Sequence, residues 1–239
     1  MIKSNQNEKL KLVRKLRDRK HRERERLFAT EGEDLLEAGR AAGAAPRFVL
    51  VAAGSGLEGE EVAPELLGDV SVLGSSTRVI AVWPLRWSEQ SSAPCFYLHG
   101  VGDPGNIGTI IRTTDALVGG NVVLGPECAD PYSPKAVRAS MGSIFSTPPT
   151  KGDIGATDEP RVAFVPHGGE ELDTLAGAAT VCLGAEREGL PEAVIAQCDR
   201  RVTIPLRPGG PESLNVAAAA AIAAQRISSL AMTEGRPDA

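Results

Sequence analysis

VCLGAEREGLP (residues 181–191) and VTIPLRPGGPESLNVAAAAAIAAQRI (residues 202–227) are the stretches that decide the fold of this chain. The apolar runs 181–183 and 202–206 predict two buried strands, each ending in a loop that contains glycine or proline. The second loop leads into Ser213, whose hydroxyl can cap a long Ala-rich helix by accepting a backbone N–H. Two strand ends, loops that contain glycine and a helix N-terminus predict a pocket for a small polar ligand with an apolar body.

The chain upstream alternates between strand-like and helix-like segments. Apolar runs at 95–101, 121–124 and 161–166 predict strands, and the patterns at 109–117 and 134–141 predict helices. Such alternation is typical of a parallel sheet covered by helices on both faces. The C-terminal part is therefore predicted to be an α/β domain.

The N-terminal part predicts a second, smaller α/β domain. Helices are expected at 7–26, at 60–67 and at 75–82, and a further helix is expected to start after a cap at Thr30. A strand is expected at 47–52. The Thr30 cap would form a capping box with the glutamate three residues later.

A polar segment with a proline at each end, PLRWSEQSSAP, separates the two parts and predicts a linker. The predicted organisation is an N-terminal domain at 1–83, a linker at 84–94 and a C-terminal domain at 95–239.

The charge of the chain is unevenly distributed. The whole chain carries −5, but residues 1–26 hold eleven Lys or Arg against four Asp or Glu, a net of +7 that leaves −12 for the remainder. A concentrated basic segment favours contact with a polyanion such as RNA, and a solvated charged helix is the alternative.

Composition limits the remaining classes of function. There is no apolar run long enough to cross a membrane and no signal peptide, so a cytoplasmic location is expected. The four cysteines have no C-x-x-C spacing and are expected to be free thiols. The three histidines are scattered, so no metal site is predicted.

A competing motif lies at GVGDPG (residues 100–105), which matches G-x-G-x-x-G between a predicted strand and a predicted helix. With Glu127 about twenty residues later, it fits a dinucleotide-binding fingerprint of the Rossmann type. Pro104 has no N–H to offer a pyrophosphate, and this interpretation leaves Ser213 and its neighbours without a role. A Rossmann-type nucleotide-binding enzyme remains the remote alternative.

Three segments together resemble a known family. LGAEREGLP (183–191) and IPLRPGGPESLNVAAAAAI (204–222) are similar to motifs 2 and 3 of the SpoU-type, or TrmH-like, RNA 2'-O-ribose methyltransferases of the SPOUT superfamily, and DPGNIGTIIRTTDALVGGNVVLGP (103–126) is similar to motif 1. The basic opening of the chain followed by FATEG (28–32) resembles the substrate-binding domain found ahead of the catalytic domain in this family.

The resemblance implies a fold and an activity. It implies a C-terminal parallel-sheet domain with a deep trefoil knot, a small N-terminal α/β RNA-binding domain resembling a ribosomal-protein fold, and a homodimer. The implied reaction is methylation of a ribose 2'-hydroxyl with S-adenosylmethionine as donor and without a metal. Ribosomal RNA is favoured as substrate over transfer RNA, and a non-catalytic RNA-binding or resistance protein is the alternative of another class.

Site residues follow from the matched motifs. The donor contacts are expected at Leu183, Gly184, Ala185, Gly189, Ile204, Leu206 and Leu214. Glycine lets the backbone approach a ligand closely, and the aliphatic side chains can sandwich an adenine ring.

The catalytic residues are expected within the same motifs. Arg112 matches the arginine assigned to proton removal from the 2'-hydroxyl, although an arginine resists deprotonation and can instead orient the ribose. Asn106 is expected to position this site, Glu186 to hold Arg112 in an ion pair, and Ser213 and Asn215 to fix the hydroxyl and the neighbouring loops. Two departures from the family pattern are a cation, Arg187, where glycine is common, and a motif 3 loop about one residue longer than usual.

Overall fold

The computed structural model describes residues 1–72, 77–89 and 94–234, and the chain forms two compact units. The first unit contains Met1–Arg86 and Asp130–Ser146, and the second contains Trp87–Ala129 and the chain from Thr147 onward. In chain order the helices and strands are α1 (Glu8–Lys15), α2 (Arg19–Glu25), β1 (Leu27–Glu31), α3 (Glu33–Ala41), β2 (Phe48–Ala52), β3 (Glu60–Val62), α4 (Pro64–Val70), β4 (Val79–Pro84), β5 (Cys95–Leu98), α5 (Pro104–Val118), β6 (Val122–Leu124), α6 (Pro134–Ser140), α7 (Ser143–Ser146), β7 (Thr150–Lys151), β8 (Arg161–Phe164), β9 (Thr180–Leu183), α8 (Glu192–Ile195), β10 (Arg200–Val202) and α9 (Val216–Glu234).

The first unit is built on a four-stranded sheet in the order β1-β4-β2-β3. Strand β4 pairs antiparallel with β1 and β2, and β3 pairs parallel with β2. Leu10, Val13 and Leu16 of the basic segment are buried in the core of this unit, which accounts for their three-residue spacing. The predicted small α/β unit is therefore present.

Several local predictions for the first unit are wrong. The predicted helix 7–26 is two helices, because the Asp18 side chain accepts from the Lys20 N–H and starts α2 anew. Thr30 lies in β1 and its hydroxyl accepts from the Trp83 indole N–H at 2.9 Å, so it caps no helix. The helix predicted at 60–67 forms only from Pro64 onward, as the start of α4, because Glu60–Val62 pair as β3. Strand β4 replaces the helix predicted at 75–82, of which residues 75–76 lie outside the described residues.

The segment Asp130–Ser146 packs within the first unit, although it lies inside the predicted C-terminal domain 95–239. Its aromatic side chains Tyr132 and Phe145 stack against Phe28, with ring centroids 4.9 and 5.6 Å away. Trp83 contacts the same Phe145 ring at 4.8 Å. This aromatic cluster supplies part of the hydrophobic core that the short N-terminal strands need.

A buried ion pair joins the basic segment, residues 1–26, to the segment Asp130–Ser146, which is an insertion in the first unit. The Arg22 guanidinium donates to Asp130 Oδ2 through Nη2 at 2.6 Å and through Nε at 2.9 Å. It also donates to the carbonyl oxygens of Leu16 and Arg17, both at 2.7 Å, and its side chain is only 4% exposed. One of the basic residues that suggested RNA binding is therefore an internal structural group.

The second unit is built on a six-stranded parallel sheet in the order β10-β8-β9-β5-β6-β7. All residues of β5 and β9 are buried, as expected for central strands covered on both faces. Helix α5 packs against α9. The predicted α/β fold with a parallel sheet is confirmed, and within the described ranges no helix is both long and apolar enough to span a membrane.

Strand β10 ends earlier than predicted. The sequence predicts a strand at 202–206, but pairing with β8 covers only Arg200–Val202. Thr203 leaves the sheet because its hydroxyl donates to the Val165 carbonyl at 3.1 Å and accepts from the Gly169 N–H at 2.9 Å. The apolar residues after Thr203 therefore belong to a loop.

The chain has two tyrosines and both are buried, so we expect neither to ionise while its unit stays folded. Burial raises the pKa of Tyr97 to about 12, and burial also raises the pKa of Tyr132. The unfolded chain loses these protons first, near pH 10, so the free energy of unfolding should fall as the pH rises from about 10 towards 12. Absorbance of phenolate near 295 nm should therefore rise only together with loss of the folded circular dichroism signal.

The Tyr97→Phe variant provides the matched control for this titration. Its free energy of unfolding should drop less than that of the wild-type protein between pH 9 and pH 11, because one ionising group is gone. Phenolate absorbance that appears at pH 10 in an otherwise folded protein would contradict the prediction.

Candidate functional site

A cavity of about 350 Å³ lies in the second unit, at the carboxyl ends of β8 and β9 and beside the start of α9. Its walls come from the loops that follow β8, β9 and β10. The carboxyl edge of a parallel sheet is where ligands bind in open α/β folds, and the volume suits a small molecule. All seven residues predicted to contact the donor line this cavity: Leu183, Gly184, Ala185, Gly189, Ile204, Leu206 and Leu214.

The loop after β9 is closed by a reciprocal pair of backbone hydrogen bonds. The Ala185 N–H donates to the Gly189 carbonyl at 3.2 Å, and the Gly189 N–H donates to the Ala185 carbonyl at 3.0 Å. Gly189 has a φ of 69°, in the left-handed region that favours glycine. A Cβ on Gly184 would lie 2.1 Å from the Gly189 carbonyl carbon, so the close approach of these two backbone segments requires glycine at 184. Only residues 186–188 project from this base.

Aliphatic side chains also line the cavity. Leu183 is buried and Ile204 is half-buried, but Leu206 and Leu214 are 37% and 39% exposed. Large apolar side chains that face an open cavity leave apolar surface in water, which a flat apolar group would cover. The wall therefore fits the adenine ring of S-adenosylmethionine.

Polar side chains beside the cavity form one hydrogen-bonded network. The Asn106 amide donates to Glu186 Oε1 at 2.7 Å, and the Asn215 amide donates to Asn106 Oδ1 at 3.2 Å. Asn215 Oδ1 accepts in turn from the N–H groups of Ala217 at 2.9 Å and Ala218 at 3.3 Å. The network connects the first turns of α5 and α9 with the loop after β9.

This network corrects two expectations. Asn215, not Ser213, caps α9, because the helix begins at Val216 and its first free N–H groups point at the Asn215 side chain. Ser213 is exposed and lines the cavity. Glu186 was expected to pair with Arg112, but within one chain its carboxylate accepts from Asn106.

Arg112 lies on another face of α5. Six residues separate it from Asn106, a rotation of about 600°, so the two side chains point roughly 120° apart around the helix. Arg112 is exposed, and among the described residues it forms no ion pair or hydrogen bond. The structure thus brings Asn106, Glu186 and Asn215 together and leaves Arg112 free to bind a group from outside the chain.

The geometry at α5 argues against a dinucleotide site at GVGDPG. Asp103 Oδ1 accepts from the N–H groups of Gly105 at 2.6 Å and Asn106 at 3.1 Å. A carboxylate therefore already occupies the helix N-terminus where a pyrophosphate would bind. Pro104, the first residue of α5, removes a further donor.

Sequence reasoning missed some residues of the cavity wall. His167 and Phe164 at the end of β8, and Glu188 and Glu212 in the motif loops, also line the cavity. The signal was available for His167, since it follows a predicted strand of the same parallel sheet and strand ends of such a sheet share one edge.

Comparison with protein families gives two matches. Residues 94–225 match the SpoU rRNA Methylase family, and residues 7–83 match the MRM3-like substrate binding domain. The first match contains every residue of the cavity wall and of the polar network.

Individual similar proteins agree with these two family matches. The chain is 29% identical to the 23S rRNA (guanosine(2553)-2'-O)-methyltransferase RlmP of Bacillus subtilis, over 92% of this chain and 96% of that protein. It is 37% identical to the 23S rRNA (uridine(2479)-2'-O)-methyltransferase of Streptomyces viridochromogenes, over 49% of this chain and 46% of that protein.

Two solved structures share the fold over nearly the whole chain. An AdoMet-bound rRNA methyltransferase from Sinorhizobium meliloti has a TM-score of 0.83 and 27% identity, over 94% of this chain and 95% of its own. The SpoU methyltransferase AviRb from Streptomyces viridochromogenes, in complex with AdoMet, has a TM-score of 0.82 and 25% identity, over 97% of this chain and 100% of its own. Because the family match spans more than half of its length, this chain belongs to the SpoU rRNA methylase family.

Proposed function

We propose that the protein is an S-adenosylmethionine-dependent RNA 2'-O-ribose methyltransferase that acts on ribosomal RNA. The observation that carries this proposal is the meeting of all seven expected donor contacts in one cavity, beside a network of Asn106, Glu186 and Asn215. One similar protein that matches over nearly its full length is named a 23S rRNA 2'-O-methyltransferase, and similar structures contain AdoMet. The MRM3-like match supports an RNA substrate bound by the N-terminal part.

The proposal assigns roles to the cavity residues. The bound donor supplies a methyl group already activated on a sulfonium. Leu206 and Leu214 cover the adenine ring of the donor. The backbone of the loop after β9, between Gly184 and Gly189, lies against the donor. No metal is part of the proposed chemistry.

Arg112 is proposed to act on the ribose. Its guanidinium is a poor general base, because an arginine side chain resists deprotonation. We assign it the role of orienting the 2'-oxygen and stabilising the negative charge that develops there, while an RNA phosphate or a water molecule takes the proton. Positioning of the reactants lowers the activation barrier by about 7–11 kcal/mol in such reactions. We therefore expect orientation of the ribose to contribute more to the rate than removal of its proton.

The proposal extends to the assembly and the location. Because Arg112 is exposed and turned away from Asn106, we propose a homodimer in which Arg112 serves the cavity of the partner subunit. We also propose that the C-terminal motifs form a trefoil knot; its support is the match to the SpoU rRNA Methylase family, whose resemblance implies such a knot. The proposed location is the cytoplasm, which fits a ribosomal RNA substrate.

A methyl-transfer assay tests the proposal. Purified protein with tritiated S-adenosylmethionine should label unmethylated ribosomal RNA, and the label should remain on ribose in dinucleotides that resist alkaline hydrolysis. Transfer RNA is the matched competing substrate and should be labelled much less. Label on a base, or no label in any RNA, would contradict the proposed reaction.

A non-catalytic RNA-binding protein is the candidate of another class. It shares the basic N-terminal segment, so salt-dependent affinity for RNA does not separate the two. Titration calorimetry with S-adenosylhomocysteine does, because a methyltransferase must bind this product and a purely RNA-occupying protein need not.

A further inference from the structure

The mouth of the cavity carries an unusual set of charges. Glu186, Glu188 and Glu212 line it together with Arg187, and all four are exposed. Among the described residues, Arg187 is the only Lys or Arg in the cavity wall. A polyanion that approaches this opening therefore meets three carboxylates and one permanent cation.

The backbone of Arg187 is held in place by the loop that bears it. It is the middle residue of the 186–188 tip, whose base is closed by the two hydrogen bonds between Ala185 and Gly189. Glu186 on one side already accepts from Asn106. The Arg187 guanidinium itself forms no ion pair or hydrogen bond within the described part of the chain, so its N–H donors remain available.

Chemistry identifies the group that would use these donors. A ribose whose 2'-hydroxyl reaches the cavity brings a phosphodiester on its adjacent 3'-oxygen to the same opening. A guanidinium offers two parallel N–H donors that match phosphate oxygens, and it offsets the repulsion from the three carboxylates. The carboxylate of the donor is the other anion at the site, but the exposure of Arg187 places it towards solvent, from which the RNA arrives.

We propose that Arg187 is a substrate-positioning residue that binds the phosphate next to the target ribose at the mouth of the donor cavity. This inference rests on the proposed methyltransferase function.

Three variants test the inference with steady-state methyl transfer on ribosomal RNA and with calorimetry. Arg187→Gln removes the charge and keeps much of the side chain. Arg187→Lys keeps the charge but lacks the two parallel N–H donors of the guanidinium. Arg201→Gln is the matched control, an exposed arginine on β10 in the same unit that does not line the cavity. Thermal melts of all three check that the fold is unchanged.

The expected result separates RNA from donor. Arg187→Gln should raise KM for RNA about tenfold, reduce the slope of log affinity against log salt by about 1, and leave Kd for S-adenosylhomocysteine unchanged. Arg187→Lys should recover most of the loss, and Arg201→Gln should behave as the wild-type protein does.

Other outcomes overturn the inference. If Kd for S-adenosylhomocysteine rises while KM for RNA stays constant, Arg187 binds the donor carboxylate. If neither quantity changes while the wild-type protein is active, the phosphate contact does not exist but the methyltransferase assignment stands. If the wild-type protein itself transfers no methyl group to any RNA, the proposed function fails and the inference fails with it.

Discussion

Arg112→Ala should lower kcat for methyl transfer to RNA by about 10²- to 10³-fold and leave Kd for S-adenosylhomocysteine unchanged, because removal of one group that stabilises a developing oxyanion typically costs this much. Arg112 lies outside the cavity wall of its own chain and has no protein partner among the described residues, so its loss should disturb neither the donor pocket nor the fold. Single-turnover kinetics and calorimetry measure the two quantities separately.

Arg201→Ala is the control for this variant, since it makes the same chemical change at an exposed position of the same unit. It should retain wild-type kcat. A full-rate Arg112→Ala enzyme would refute a catalytic role for this arginine. Loss of donor binding together with turnover would show that Arg112 supports the pocket instead.

Mixed dimers extend the prediction to the assembly. When Arg112→Ala subunits are combined with subunits whose donor cavity is inactivated, the mixed dimer has one cavity that is intact and faces an intact Arg112 of the partner subunit. Activity should therefore reappear on mixing if the arginine works across the interface. If it works within its own chain, every cavity lacks one component and the mixture stays inactive.

Gly184→Ala should strongly weaken the binding of S-adenosylhomocysteine. A Cβ at this position would lie 2.1 Å from the Gly189 carbonyl carbon, 2.3 Å from its oxygen and 2.3 Å from the Leu190 nitrogen. These are backbone atoms, so the loop must open and the hydrogen bonds between Ala185 and Gly189 must break. We expect overpacking to lower the free energy of unfolding by about 2–3 kcal/mol and the open loop to weaken product binding by more than about 100-fold.

Gly155→Ala is the control for Gly184→Ala. Gly155 is exposed in the same unit, has no heavy atom within 4 Å of its would-be Cβ and has no positive φ, so alanine should be tolerated there. Chemical denaturation and calorimetry of the two variants separate the effect of position from the effect of adding a methyl group. Normal product affinity in a stable Gly184→Ala protein would show that the loop adapts without cost.

The cavity could be predicted from the sequence because its determinants are local. An apolar run that stops at Gly184 identifies a strand end, and parallel strands share an edge, so two such ends predict one site. Residues such as Ile204 and Leu206 could also be assigned to that site, but only as members of the matched motif. Their apolar spacing alone predicted a strand, whereas their apolar surface faces the cavity instead of a neighbouring strand.

The errors arose where two local signals compete and tertiary contacts decide between them. Ser213 and Asn215 are both good helix caps two residues apart, and the position of α9 selects Asn215, whose amide also reaches Asn106. Thr30 has the sequence of a capping residue but its hydroxyl is used by the Trp83 indole. Neither choice is visible without knowing which side chains approach from distant parts of the chain.

The insertion Asp130–Ser146 limits how this protein can exchange its parts with relatives during evolution or engineering. In a recipient that lacks a carboxylate and aromatic residues at the matching positions, a chimera that takes only Met1–Arg86 would bury the Arg22 guanidinium without its Asp130 counter-charge and leave Phe28 without two of its aromatic neighbours. An unpaired buried charge typically costs about 3–5 kcal/mol, a large share of the stability of a small domain. Change of RNA target by recombination therefore requires two inherited segments to move together, and gradual substitution on the existing surface is the easier route.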